Sequence, residues 1–99
     1  MSIEEILGTI QDGSIQVCAT ADAAYDPAAE KILVTLDAFT RTASAISDGA
    51  HQPQSWLPRG EQVSEHLSQS EADDFVKDVF HSWVKKVRAS IPATTALRT

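Results

Sequence analysis

Residues 70–91 read SEADDFVKDVFHSWVKKVRASI. Within them Ala72, Phe75, Val76, Val79, Phe80, Trp83, Val84, Val87 and Ile91 recur in steps of one, three and four residues, the pitch of an α-helix with one dry face and one wet face. The spacing predicts a helix over 70–90, about 30 Å long, started by Ser70 and Asp73 and packed through Trp83. A packing signal names no chemistry, so this stretch speaks for architecture, and function has to be argued from other residues.

Working upstream, Asp26 can accept the free amides at a helix start while Pro27 takes the first helical position. A second helix is predicted over about 27–48, with the seam Ala29, Ile32, Leu36, Phe39, Ala43, Ile46, Ala50 and a stop at Gly49. Its small residues would let another helix approach closely, within the chain or in a homodimer. Ser2 and Glu5 form a capping-box pattern ahead of Ile3, Ile6, Leu7 and Ile10, which predicts a short first helix ending near Gly13. The competing reading is a hairpin around Asp12-Gly13, pairing Ile10 with Ile15 and Gly8 with Val17. Residues 14–25 fit either a helical turn or a strand alternation. His51 to Arg59 is a proline-broken connector, and 61–67 is predicted as a short helix carrying Val63 and Leu67 inward. The expectation is an all-α domain over 1–92, a small bundle of three to four helices whose main antiparallel pair is 27–48 with 70–90, followed by a mobile tail over 93–99.

The 99 residues, 42% hydrophobic and 22% charged, suit one folded domain with its own core. The start lacks the features of a signal peptide, no apolar run is long enough to span a membrane, and the single Cys18 cannot form an internal disulfide. A soluble cytoplasmic protein is therefore expected. Cys18 has no Lys or Arg anywhere in residues 1–30, so it reads as a core residue and not a nucleophile. Charge is segregated: residues 1–30 hold Glu4, Glu5, Asp12, Asp22, Asp26 and Glu30 with no base, whereas 79–99 hold Lys85, Lys86, Arg88 and Arg98 with no acid. The two ends are expected to meet, within the fold or across a dimer. A net charge of −6 disfavours general affinity for nucleic acid.

Chemistry-bearing constellations are sparse. Asp74, Asp78 and His81 fall on one stripe of the last predicted helix and form the best candidate for a metal or acid–base site, though Lys85 continues that stripe. Glu61 and Glu65 would share a helix face from which His66 points away, and His51 has no Cys or His nearby at zinc-ligand spacing. The glycines are isolated, excluding a P-loop or Rossmann fingerprint, and no nucleophile elbow is present. No cofactor is expected. Trp56 and Leu57, in the connector, are the apolar residues least needed by a helical core, and with Lys85, Lys86 and Arg88 they make the predicted partner surface, an aromatic anchor with a basic rim. The order helix, Trp56-bearing connector, helix resembles the small secreted helical hairpins of the WXG family, but Trp56-Leu57-Pro58 lacks that motif's glycine and the tail lacks its Tyr and acidic residue, so no family is assigned. The expected function is a non-enzymatic helical protein–protein interaction module: a regulator, assembly factor or small subunit that binds a protein partner, itself included. The alternatives are a metal-binding or catalytic helical protein using Asp74, Asp78 and His81, and a nucleic-acid-binding regulator using Lys85, Lys86 and Arg88.

Overall fold

Ile15, Val17, Ala19 and Ala21, and again Ile32, Val34 and Leu36, are apolar and buried at alternate positions, and the backbone from Ser2 to Thr42 forms three long strands. A computed structural model describes residues 1–42, 51, 52, 54–95 and 97. In chain order it contains β1 (Ser2–Ile10), β2 (Ile15–Asp26), β3 (Lys31–Thr42), β4 (His51–Gln52), β5 (Glu61–His66) and α1 (Gln69–Ser90). All pairings are antiparallel. β1 pairs β2, β2 pairs β3, and the far edge of β3 is shared by β5 along Lys31–Leu36 and by β4 at Thr40 and Arg41.

Two tight turns hold the meander. Gln11, Asp12 and Gly13 all take positive φ (52°, 58° and 87°), which sends the chain back so that Ile10 faces Ile15. Asp26 Oδ1 accepts the N–H groups of Ala28 (3.0 Å) and Ala29 (3.3 Å), and Glu30, at φ 48°, then reverses the chain into β3. In β1 the register slips between Ile6 and Gly8, leaving Leu7 as the extra residue of a β-bulge.

One face of the sheet is dry. Ile10, Ile15, Val17, Ala19, Ala21, Ile32, Val34 and Leu36 are buried against the helical stripe Ala72, Val76, Phe80, Trp83, Val84 and Val87. The helix lies over β2 and β3. Trp83, 2% exposed, donates its indole N–H to the Asp37 carbonyl at 2.8 Å, just past the last β3–β5 pair. Tyr25 donates its hydroxyl to the Leu67 carbonyl at 2.8 Å, tying the end of β2 to the approach to α1. Ser68 caps α1, with its N–H and its hydroxyl both donating to the Glu71 carboxylate.

The all-α expectation is therefore overturned by an antiparallel sheet with, among the described residues, a single helix. The 70–90 helix stands, capped at Ser68 in place of Ser70. Its proposed partner over 27–48 is not a helix where it is described: Lys31–Thr42 is β3, and Ala43, Ile46, Gly49 and Ala50 lie outside the described residues. Ile32, Val34 and Leu36 alternate at period two while Ile32, Leu36 and Phe39 keep a helical spacing, and pairing on both edges decides for the strand. Asp26 caps a single turn and no helix follows. The first predicted helix is β1, and the hairpin reading holds with its pairs Ile10–Ile15 and Gly8–Val17. Residues 61–66 form β5 and not a short helix. The helical-hairpin likeness falls with the bundle.

Candidate functional site

Because α1 covers only the middle of a wider sheet, it is flanked on each side by a groove. On the β5 side, Leu36, Glu61, Val63, Phe75, Asp78, Val79, Trp83 and Lys86 line a trough of about 340 Å³. Its one cation among the described residues is already engaged: Lys86 forms an ion pair and hydrogen bond with Glu61 and sits 5.7 Å over the Trp83 ring. On the β1 side lies a larger groove of about 690 Å³, lined by Ile3, Glu4 and Glu5 from the strand and by Lys77, Phe80, His81, Val84, Lys85 and Arg88 from the helix.

The helix sets this second groove out in two tiers. Phe80 and Val84, one turn apart and 9% and 8% exposed, form the apolar floor with Ile3. Lys77, His81 and Lys85 follow one another at four-residue intervals, with Arg88 three further on, and form an exposed basic ridge. Among the described residues Lys77, Lys85 and Arg88 make no ion pair. Glu4, opposite, is already engaged: its carboxylate binds Arg41 at 2.9 Å on the other face of the sheet, where Arg41 also donates to Gln16 at 3.0 Å and lies 5.8 Å from the Phe39 ring centre. The acidic early chain and the basic late chain thus share a groove without neutralising each other.

The predicted site residues are divided between the two sides. Lys85 and Arg88 lie on the β1 groove, whereas Lys86 is held on the β5 side by Glu61. Trp56 and Leu57 lie in a turn closed by Leu57 N–H to the Gln54 carbonyl, and both are half-buried against the core. Asp78 lines the β5 groove and His81 the β1 groove, and among the described residues no three His, Cys, Asp or Glu side chains converge on a metal-sized space. Cys18, on the face away from α1, is buried; that burial raises its thiol pKa, more than the nearby Arg41 lowers it. Sequence reasoning assigned Phe80 and Val84 wholly to packing and passed over Lys77; the Lys77, His81, Lys85 spacing was the available signal. Ile3 and Glu5 carried none, since their place depends on sheet register.

No described helix is long and apolar enough to cross a membrane. Compared with family models, curated proteins and solved structures, the chain matches none.

Proposed function

We propose that this protein is a non-enzymatic protein-interaction module whose partner docks in the groove between β1 and α1. The observation that carries the reading is a groove whose apolar floor, Ile3, Phe80 and Val84, is flanked by three cations that have no ion-pair partner among the described residues, Lys77, Lys85 and Arg88. An apolar centre with a charged rim is the anatomy of a docking surface, the centre supplying affinity and the rim steering encounter. The rim favours an acidic partner. A net charge of −6 disfavours a long polyanion such as a nucleic acid, whose phosphates would extend beyond the ridge and meet the acidic remainder of the chain, and so favours a protein whose acidic stretch is confined to the ridge. An intracellular setting, in the cytoplasm, belongs to the same reading, because secreted domains of this size usually carry disulfides and the one cysteine here is free and buried.

The test is affinity capture from the source cell with the wild-type chain and with Lys85→Glu/Arg88→Glu. The partner should be retained by the first and lost by the second, with helix content unchanged by circular dichroism. Equal recovery by both chains removes the β1 groove as the docking surface.

A further inference from the structure

The β1 groove opens onto a strand with an unpaired edge. β1 is the end of the sheet order, and no described strand pairs with its outer side. Which of its groups are free follows from the ladder. Met1 nitrogen donates to the Ala23 carbonyl at 3.0 Å and Ala23 N–H returns to the Met1 carbonyl at 2.8 Å, so this is a hydrogen-bonded pair. Such pairs alternate along an antiparallel ladder. Ile3–Ala21 and Glu5–Ala19 are then hydrogen-bonded as well, and Ser2, Glu4 and Ile6 direct their N–H and C=O groups outward. Beyond Ile6 the bulge at Leu7 breaks the regular repeat. The usable edge is Ser2 to Ile6.

Two further features single out this edge. Among the described residues Met1, Ile6 and Leu33 are the exposed large hydrophobics, and two of these three stand on or beside β1: Met1 at 57% and Ile6 at 48%. The basic ridge also matches the edge in length: from Lys77 to Arg88 a helix rises about 16 Å, and five strand residues span about 17 Å. The β5 edge has no such combination, because its neighbouring cation Lys86 is already paired with Glu61.

We infer that the occupant of the groove is an extended acidic segment of a partner protein, which adds to β1 as a further strand, its backbone bonding Ser2, Glu4 and Ile6 and its carboxylates lying under Lys77, Lys85 and Arg88. The inference rests on the docking reading above and names the form and charge of what docks. Strand addition of this kind draws affinity from main-chain hydrogen bonds and specificity from alternate side chains. Carboxylates on the helix side meet the ridge, and apolar side chains on the other side cover Ile6. A second copy of the chain fits less well. Antiparallel self-pairing of β1 about its middle offers the ridge no carboxylate but Glu5, and it brings the two basic ridges onto the same side of the joined sheet, where they repel.

The probe is a capped seven-residue peptide alternating Val and Glu, with two controls: Lys in place of Glu, and N-methylation of every second amide. Residue-resolved hydrogen exchange on the whole chain is the readout. In the free protein the Glu4 and Ile6 amides should exchange fast and those of Ile3 and Glu5 slowly. The acidic peptide should slow Glu4 and Ile6 selectively, while the Lys peptide has no effect. N-methylation in the frame that faces β1 should weaken binding about tenfold or more, the loss expected from removing two backbone hydrogen bonds. Lys85→Glu/Arg88→Glu should abolish the protection without changing the exchange of β2. Peptide at millimolar concentration that leaves Glu4 and Ile6 unprotected, or that binds equally well when N-methylated in either frame, overturns strand addition; the docking reading then stands or falls separately on the capture experiment. Protection that rises with protein concentration alone, with dimer seen by sedimentation, overturns it in favour of a second copy.

Discussion

Trp83 does two jobs with one ring. It fills the space between α1 and the sheet, and its N–H satisfies the Asp37 carbonyl where β3 has lost its β5 partner. Trp83→Ala should cost about 3–5 kcal/mol, the range for removing a core aromatic. Trp83→Phe keeps most of the buried area yet strands the carbonyl, so it should cost about 1–3 kcal/mol. Urea unfolding of both variants checks this, and a Phe variant as stable as wild type would show that water satisfies Asp37. Tyr25 offers a spectroscopic counterpart, because it is the sole tyrosine in the chain. Loss of hydration raises its phenol pKa above the ordinary value of 10.0, helped by the carboxylates of Glu30, Asp26 and Glu71. The folded state therefore favours the neutral phenol. That contribution to stability is complete below the ordinary value and is lost as pH climbs through the raised one. Absorbance titration should place the Tyr25 midpoint above that of the urea-unfolded chain, and coincident midpoints would refute the assigned environment.

At the scale of elements, β5 depends on a close approach. A Cβ at Gly60 would stand 2.9 Å from the Leu36 carbonyl, a backbone atom that cannot swing aside. Gly60→Ala should therefore destabilise the fold by about 1–3 kcal/mol and loosen β5 first, visible as faster exchange of the Val63 amide. Lys86→Ala, which removes a solvent-exposed pair with Glu61, should cost under about 1 kcal/mol. Elements also differ in how far residues alone reveal them. α1 was legible because its stripe repeats at helical pitch over five turns with no competing period, and the burial of Trp83 came with it. β3 was misread because Ile32 and Leu36 belong to both a helical seam and a strand alternation, and only pairing with β2 and β5 breaks the tie. Asp26-Pro27 gives the same amide-capping signal before a turn as before a helix; the reversal lies in the left-handed backbone of Glu30, which no side-chain pattern announces. Of the candidate site, Lys85 and Arg88 were legible from charge segregation, whereas their separation from Lys86 and their approach to Ile3 and Glu5 follow from where the helix lands on the sheet.

For the whole molecule, the buried thiol gives a handle on cooperativity. Cys18 is 0% exposed and sits in the central strand β2, so reagents should reach it only when the sheet opens. Labelling by a disulfide reagent should be slower than in the unfolded chain by a factor on the order of 10³ or more, if opening requires global unfolding of an ordinarily stable domain. Rapid labelling of folded protein would show that β2 opens on its own. The position of α1 after all the strands carries a last consequence, for assembly in time. On a growing chain β1, β2, β3 and β5 all emerge before the helix, so Val17, Ala21, Val34 and Leu36 face water until the residues up to Val87 arrive. The sheet is thus made before its cover, and a fragment ending at Leu67 should aggregate, as sedimentation would show, where the whole chain does not.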